Sequence, residues 1–287
     1  MYSVELMQIN TIHSGGNILR IYQHNQYDIL KSYLMCYPVN FKITDKTNKY
    51  YNNINYELLY SQYNNFIDIL TNEDVKIKFI DINKSESQVF TKDIGFVIED
   101  IFFITKMKKY QRAMETQILK KLIKENSIRY YEMKSNIEGG DIIYHGDAVF
   151  VGMSSRTSIE SVYELENVFK MLDLNIDVVP IHFDTHMLHL DCVFNTLDKD
   201  SAILSPYVYD IEIIKKYINN LYCISKEDSD KLGTNIVYLG NRRVISSNEN
   251  VVDMLNSNVY KARYVDYSEI MKAGGSLACS TLSLLRE

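Results

Sequence analysis

Apolar and polar residues follow one another along this chain in an order that repeats. From about residue 75 onwards, each repeat has a lone apolar or alternating run, a pair of β-rich runs around a short polar turn, and then a stretch with helical spacing. The unit is roughly 45 to 50 residues long, a period that is typical of proteins built from similar modules. The pattern therefore predicts a modular α/β protein.

Four complete copies of this unit and one incomplete copy are present. In the order lone strand, hairpin strands and helix, they are residues 75–80, 96–98, 101–104 and 108–124; residues 128–133, 141–144, 148–151 and 158–172; residues 176–183, 189–197, 201–204 and 211–219; and residue 221 onwards with 235–239, 242–245 and 250–255. A fifth copy begins at residues 260–267, and the strand signal at residues 34–38 could complete it. Because joining these two parts removes exposed sheet edges, we expect a closed ring of five modules.

The main alternative is an ordinary α/β protein with a doubly wound parallel sheet. Such a sheet has one strand for each helix, whereas this sequence has strands in pairs. No GxGxxG or GxxxxGK[ST] motif follows a predicted strand, which disfavours nucleotide binding at a helix N-terminus. No linker divides the sequence, so we expect a single domain over residues 1–287.

Composition and charge restrict the partners. The 287 residues are 46% hydrophobic and 24% charged, which is ordinary for a globular protein that can bury a core unaided. A formal net charge of -6 offers no basic face for nucleic acid or an anionic membrane, and it suits a small cationic ligand. The 4 cysteines lack CxxC spacing, and the sequence shows neither signal-peptide features nor an apolar run long enough to span a bilayer. We expect a cytoplasmic protein and leave open whether it forms a homo-oligomer.

Several reactive residues occupy equivalent places in successive modules. Asp93 precedes the first hairpin, Glu138 precedes the second, His189 and Asp191 open the third, and Cys279 lies in the incomplete fifth module. In a closed ring, equivalent positions meet at the centre although they are far apart in sequence. The repeat therefore predicts that these five side chains form one site.

This set of side chains suits chemistry on a guanidinium group. A guanidinium is a planar, delocalised cation with a pKa above 12, so its carbon is a poor electrophile unless its nitrogens are held and the attacking group is strong. Two carboxylates such as Asp93 and Asp191 can bind its N–H groups, and a thiolate can attack its carbon. A histidine can protonate the departing amine and then deprotonate water, and Glu138 could orient His189 and raise the pKa of its imidazole.

Five segments carry a resemblance to a known family. They are Phe90-Thr91-Lys92-Asp93, Ile137-Glu138-Gly139-Gly140-Asp141, Ser154-Ser155-Arg156-Thr157, His189-Leu190-Asp191-Cys192-Val193-Phe194 and Gly274-Gly275-Ser276-Leu277-Ala278-Cys279. In this order they resemble the signature segments of the guanidino-group modifying (pentein) superfamily, which includes arginine deiminases, dimethylarginine hydrolases and amidinotransferases. The resemblance spans roughly residues 30 to 287 and implies a five-module, pseudo-symmetric α/β propeller, formed here by a single catalytic domain, with the active site in the central channel.

The resemblance also implies a role for each matched residue. Cys279 would be the nucleophile, His189 the acid and base, and Glu138 the partner of His189 and a guanidinium contact. Asp93 and Asp191 would bind the guanidinium, and Arg156 and Arg112 would anchor the substrate carboxylate. The sequence departs from the family pattern at four positions, which are Lys92 for the usual Arg, Ser276 for a third Gly, Ala278 for a frequent His, and Cys192 for the common Thr.

Each assignment has a simpler alternative. Cys36, Cys192 and Cys223 are expected to be inert core residues. His182, His186 and His189 suggest a metal site only superficially, because no cysteine or carboxylate completes a recognisable ligand set, and we expect neither a metal nor a cofactor. Arg156 could be a solvated loop residue, and Arg112 could be an exposed charge on a helix.

The sequence thus predicts a cysteine hydrolase that acts on the guanidinium group of arginine or N-methylated arginine. Through a covalent thiouronium intermediate it would give citrulline and ammonia or a methylamine. The paired aspartates favour unmodified arginine, because methyl groups would leave a carboxylate unpaired. The first alternative is an amidinotransferase, in which an amine replaces water as acceptor. The second is an inactive propeller that only binds its ligand, although both the cysteine and the histidine are present.

Overall fold

The computed structural model describes residues 19–287. Residues 1–18, which belong to the predicted single domain and on which the expected lack of signal-peptide features rests, lie outside the described residues. Within residues 19–287, the chain forms five sheets of three strands each. This arrangement is the predicted five-module α/β propeller.

The strands and helices alternate along the described chain. The strands are β1 (Leu30–Met35), β2 (Lys76–Phe79), β3 (Gly95–Ile98), β4 (Ile101–Ile104), β5 (Tyr130–Glu132), β6 (Ile142–Tyr144), β7 (Ala148–Gly152), β8 (Asp177–Ile181), β9 (Phe194–Asp198), β10 (Ser201–Leu204), β11 (Asn220–Cys223), β12 (Val237–Gly240), β13 (Arg243–Ser246), β14 (Lys261–Tyr264) and β15 (Leu282–Arg286). The α-helices are α1 (Tyr56–Asn72), α2 (Ala113–Glu125), α3 (Ile159–Met171), α4 (Ile211–Ile214), α5 (Lys226–Asp230), α6 (Glu249–Asn256) and α7 (Ser268–Met271).

All five sheets share one topology. A central strand pairs antiparallel with one neighbour and parallel with the other, as when β4 pairs antiparallel with β3 and parallel with β5. The same pattern holds for β6-β7-β8, β9-β10-β11 and β12-β13-β14. In each of these four sheets the parallel strand follows a helical segment, as expected for a strand-helix-strand crossover, which returns the chain parallel to the strand it left.

This topology corrects the predicted boundaries of the modules. The lone strand that the sequence pattern placed at the start of each unit is the last strand of the preceding sheet. Residues 75–80, for example, contain β2, which pairs in parallel with β1 and not with the hairpin at residues 96–104. The reason is that the crossover brings each lone strand back beside the hairpin that precedes its helix.

Three further segments differ from the sequence prediction. The helix expected over residues 211–219 is reduced to α4 (Ile211–Ile214). The strand expected over residues 189–197 begins only at Phe194, after a 3₁₀ turn at Leu190–Cys192. The pattern also missed α1, whose buried residues Leu59, Tyr63 and Phe66 recur at helical spacing and whose N-cap Asn55 accepts a hydrogen bond from the backbone of Leu58.

The two ends of the described chain close the ring. Strand β15 pairs antiparallel with β1, so that Leu34 faces Leu282, and β1 in turn pairs in parallel with β2. The fifth sheet is therefore built from both ends of the chain, which confirms the predicted closure. Leu34, Leu282 and Leu284 lie in one buried cluster with residues from the next sheet, including Val97 and Phe102.

The closed ring places equivalent turns around its centre. A short turn precedes the first strand of each hairpin: 3₁₀ turns at Thr91–Ile94, Gly139–Asp141 and Leu190–Cys192, and turns before β12 and β15. The first of these turns contacts the second, and the second contacts the third. The predicted site residues therefore lie on the loops that the propeller brings together.

Among the described residues, no helix combines the length and the apolar character that a bilayer span requires.

Closure of the ring predicts that β15 contributes strongly to stability. Leu284 is fully buried, so Leu284→Ala should lower the free energy of unfolding by about 2–5 kcal/mol through lost burial and a residual cavity. Leu58→Ala, the same change at a side chain that is 40% exposed, should change it by less than about 0.5 kcal/mol. Urea unfolding followed by circular dichroism measures both, and equally small effects would mean that β15 lies outside the cooperative core.

Candidate active site

The predicted site residues meet at a cavity of about 880 Å³ in the centre of the ring. Its lining includes five of them, which are Asp93, Arg112, Arg156, His189 and Cys279. The other two, Glu138 and Asp191, are fully buried directly behind this lining. The structure thus brings together all seven residues that the sequence singled out.

Cys279 lies in the turn before β15 and is 3% exposed. Asn235 holds it at two points: its Nδ2 donates to Sγ at 3.1 Å, and its Oδ1 accepts from the Cys279 backbone N–H at 3.2 Å. The Asp191 carboxylate oxygens lie 3.8 and 3.9 Å from Sγ. A Cβ on Gly275 would come within 2.4 Å of the Phe90 ring, so this approach to the cysteine requires glycine. The thiol is fixed in place beside a carboxylate.

Asn235 was missed by the sequence analysis. It lies just before β12, which is the position in the fourth module that corresponds to Asp93 in the first. The signal was therefore its place in the repeat. A neutral amide gives no hint of chemistry in a sequence, because only ionisable and nucleophilic side chains stand out there.

His189 and Glu138 form a buried acid-base pair. His189 Nε2 lies 2.9 Å from Glu138 Oε2, and His189 Nδ1 lies 3.6 Å from Asp93 Oδ1. Burial by itself lowers the pKa of His189, but the charges of Asp93, Asp141 and Glu138 outweigh it and raise that pKa above the usual range of an imidazole. Burial raises the pKa of Glu138, but His189 outweighs burial and holds that pKa below the usual range. The pair therefore favours imidazolium next to carboxylate.

Asp93 has one occupied and one unoccupied carboxylate oxygen. Its Oδ2 accepts from Arg112 Nη1 at 2.5 Å, whereas Oδ1 is buried without a hydrogen-bond partner and faces His189 Nδ1, which is also unpartnered. Buried polar atoms normally have partners, so an unpaired acceptor beside a cavity is suited to a ligand donor. Asp93 Oδ1 is available to an N–H group of a bound cation.

Arg112 is buried, which rules out the interpretation of it as an exposed helix charge. Its Nε donates to both Glu115 oxygens at 3.0 and 3.2 Å, and its Nη2 donates to Glu115 Oε2 at 2.8 Å and to the Phe90 carbonyl at 3.0 Å. Together with the bond to Asp93, these contacts occupy the guanidinium on all three nitrogens. Arg112 therefore orients Asp93 in this structure.

Arg156 is mostly buried at the cavity wall, with Nη1 3.5 Å from Glu138 Oε1. Lys109, which the sequence analysis did not select, lines the same cavity. Partial burial and then the positive charge of Arg156 lower the pKa of Lys109. Two neighbouring cations at one side of the cavity make that side suitable for an anionic group.

Asp141 is a further buried carboxylate that the sequence analysis left without a role. Its Oδ2 accepts from Ser154 Oγ and Thr157 Oγ1, each at 2.6 Å, and its Oδ1 accepts from the Leu190 N–H at 2.9 Å. Burial raises the pKa of Asp141 to about 6, although these hydrogen bonds oppose the shift. Asp141 joins three loops of the site and thereby fixes the backbone next to His189.

The two glycines of the Glu138 loop permit close packing at the centre. A Cβ on Gly139 would lie 2.0 Å from the Lys92 carbonyl oxygen. A Cβ on Gly140 would lie 2.7 Å from His189 Nδ1 and 3.0 Å from Asp93 Oδ1. Both positions exclude any larger residue without displacing the site.

Lys92 brings a cation close to the thiol. Its backbone N–H donates to the Cys279 carbonyl at 3.1 Å, and its ammonium interacts electrostatically with Asp191 and Cys279. Burial lowers the pKa of Lys92, and the charge of Asp191 opposes that shift. Burial likewise raises the pKa of Asp191, and Lys92 opposes this. Lys92 partly balances the negative charge beside the nucleophile.

Two groups of side chains could in principle surround a cation. They are Asp93, Glu138 and His189, and Asp191, Cys192 and Cys279, with ligand atoms within 4.8 Å of one another in each group. In the first group the hydrogen bond between Glu138 and His189 already uses the Nε2 atom. His182 is exposed and pairs with Asp210, so it does not join His189. The expectation that the protein uses no metal stays a prediction.

The site combines three chemical capacities around one cavity. It holds a thiol next to carboxylate oxygens, an imidazole whose protonated form is stabilised, and an unpaired buried carboxylate oxygen. These groups can bind a planar cation, attack it and transfer a proton to a leaving group.

Comparisons with known proteins agree with this geometry. The family model for arginine deiminase matches residues 69–222. An uncharacterized protein of Bacillus subtilis, YkgA, is 31% identical over 275 residues, which cover 91% of this chain and 94% of YkgA. The N(G),N(G)-dimethylarginine dimethylaminohydrolase of Streptomyces coelicolor is 23% identical over 200 residues, which cover 68% of this chain and 74% of that protein.

A solved structure has the same fold. It is the product-bound N-terminal domain of ArgZ, an arginine dihydrolase from the ornithine-ammonia cycle in Cyanobacteria. The TM-score is 0.80 at 22% sequence identity, and the match covers 90% of this chain and 98% of that chain.

The pair of Glu138 and His189 leads to a prediction about protonation. Glu138→Gln removes a negative charge that stabilises the imidazolium, so the pKa of His189 should fall by roughly 1–3 units. The imidazole would then lose its proton at a lower pH than in the unaltered protein. Titration of the His189 ring by NMR measures the shift. Glu166→Gln, at an exposed position on α3, should leave that titration unchanged, and an unaltered His189 in Glu138→Gln would contradict the assigned coupling.

Proposed function

This chain belongs to the arginine deiminase family of guanidino-group modifying enzymes, and we propose that it is a cysteine hydrolase that cleaves a C–N bond of arginine or N-methylated arginine. The products would be citrulline and ammonia or a methylamine. The observation that carries the proposal is the joint position of Cys279 and His189 on one cavity, with the carboxylates of Asp93 and Asp191 beside them.

Substrate binding would use charge complementarity. A guanidinium presents N–H donors in one plane, and carboxylates match this geometry. Asp93 Oδ1 has no other partner, and Asp191 lies next to the thiol, so a cation held between them would have its central carbon close to Sγ. Binding in a site with little water would strengthen these contacts.

The first chemical step would form the covalent intermediate. The thiolate of Cys279 attacks the guanidinium carbon and forms a C–S bond. The imidazolium of His189 gives its proton to a terminal nitrogen, the bond from carbon to that nitrogen breaks, and ammonia or a methylamine leaves. Its raised pKa keeps His189 protonated at neutral pH, as a general acid needs.

The second step would release the product. His189, now neutral, takes a proton from water as the water oxygen attacks the thiouronium carbon. The C–S bond breaks, the ureido product forms, and the Cys279 thiolate is restored with His189 protonated again. Glu138 would stabilise the imidazolium at both ends of this cycle.

The far end of the substrate would be held by cations. We assign the anchoring of the substrate carboxylate to Arg156 together with Lys109, because both line the cavity on the same side. Arg112, which the family pattern suggests as a second anchor, has its nitrogens engaged with Asp93, Glu115 and a carbonyl group. We assign Arg112 the positioning of Asp93.

Substrate specificity tests the proposal most broadly. Arginine, methylarginines, agmatine and guanidinoacetate are incubated with the protein, with and without glycine, and the products are identified by mass spectrometry. We expect citrulline from arginine, and a glycine-dependent amidino product would instead indicate an amidinotransferase. If no guanidino compound reacts, the proposed function is wrong.

The nucleophile is tested by a matched pair of variants. Cys279→Ser should lower kcat by roughly a thousandfold or more, as is usual when a covalent nucleophile is removed. Cys223→Ser, at an exposed cysteine, should leave turnover unchanged. Activity of Cys279→Ser close to that of the unaltered protein would exclude Cys279 as the attacking group.

The assignment of Lys109 predicts a change that depends on the substrate carboxylate. Lys109→Met should raise KM for arginine by roughly two- to fivefold, the ratio that corresponds to a partly exposed ion pair. It should not affect agmatine, which has no carboxylate. Lys108→Met, at an exposed neighbour whose side chain does not line the cavity, is the control. Equal effects on arginine and agmatine would contradict the assignment.

A further inference from the structure

A second thiol lies next to the proposed nucleophile. Cys192 Sγ and Cys279 Sγ lie within 4.8 Å of each other, and both lie near the Asp191 carboxylate. Cys192 Sγ is 3.5 Å from Asp191 Oδ1, and Cys279 Sγ is 3.9 Å from the same oxygen. The two cysteines come from different modules, on the turns before β9 and β15, and the ring brings them together.

The two thiols differ in access to solvent. Cys279 lines the central cavity, whereas Cys192 is fully buried behind it. Contact with Cys279 and burial raise the pKa of Cys192 well above that of a free cysteine. Oxidation of cysteine follows exposure and thiolate character, so a small oxidant that enters the cavity reaches Cys279 first.

We infer that Cys192 and Cys279 form an oxidative modification site, at which Cys192 captures the oxidised nucleophile as an intramolecular disulfide. The oxidant class is a hydroperoxide, such as hydrogen peroxide. The thiolate of Cys279 attacks the peroxide, the O–O bond breaks, and Cys279 becomes a sulfenic acid as one water forms. Cys192 Sγ then attacks the Cys279 sulfur, the S–O bond breaks, and an S–S bond forms with release of a second water.

Asp191 is placed to assist the second step. Its Oδ1 is 3.5 Å from Cys192 Sγ and can accept the thiol proton while the leaving hydroxide is protonated to water. A cysteine sulfenic acid that meets no second thiol can be oxidised further to irreversible sulfinic acid. The disulfide would protect Cys279 from this loss and would stop catalysis until a thiol reduces it.

Cys192 is distinguished from the other two cysteines by position. Cys36 is buried with its Sγ directed to the Tyr37 carbonyl, and Cys223 is exposed at the end of β11. The sequence alone suggested that all three are inert core residues. The inactivation rests on the proposed role of Cys279, whereas the disulfide itself can be measured without any substrate.

The test uses the complete protein and hydrogen peroxide. After exposure and alkylation under denaturing conditions, the 4 titratable thiols should fall to two, and the intact mass should fall by two hydrogen atoms. Tryptic mapping should find residues 171–199 cross-linked to residues 273–286. A cross-link between any other pair, or sulfinic acid on Cys279 without a cross-link, would overturn the inference even if no substrate is turned over.

Variants separate protection from simple proximity. Cys192→Ser keeps a small polar side chain but cannot form the disulfide, so peroxide should convert its Cys279 to sulfinic acid and dithiothreitol should not restore it. Peroxide-treated unaltered protein and Cys223→Ser should both recover their Cys279 thiol, and any activity, with dithiothreitol. Equal recovery of Cys192→Ser and the unaltered protein would show that Cys192 has no protective role.

Discussion

The antiparallel pairing of β15 with β1 is the interaction on which the rest of the structure depends. It joins the two ends of the described chain into one sheet and so turns five similar modules into a closed ring. Closure removes two exposed sheet edges and buries residues such as Leu34 and Leu282. It also brings the turn that carries Cys279 to the centre, where it meets turns from the other modules. Stability and chemistry therefore depend on the same contact between distant parts of the sequence.

At that centre, charge and close packing determine what each residue can do. Glu138, Asp93 and Asp141 surround His189 with negative charge, which outweighs the cost of burying an imidazolium. Arg112 neutralises part of this charge and fixes one oxygen of Asp93, while the other oxygen stays unpaired. Glycines let the turns approach closely enough for these contacts. The result is a site with a place for one more cation, as expected for an enzyme that binds a guanidinium group.

The sequence predicted much of the fold and of the site because both repeat. Equivalent turns carry Asp93, Glu138, His189 and Cys279, so the module pattern was enough to group them. The boundaries of the modules were wrong, because local periodicity does not show which hairpin a parallel strand joins. Asn235 was missed because a neutral amide has no chemical signature. The environment of Arg112 was uncertain because burial next to Asp93 and Glu115 depends on contacts between modules.

The central claim is that Cys279 attacks the guanidinium carbon and holds it covalently. The most direct test is to mix the protein with excess arginine, quench with acid during turnover, and measure the intact mass followed by tryptic mapping. The account predicts an adduct with the mass of arginine less ammonia, located on the peptide of residues 273–286 that contains Cys279. Turnover of arginine with an adduct on another residue would contradict it.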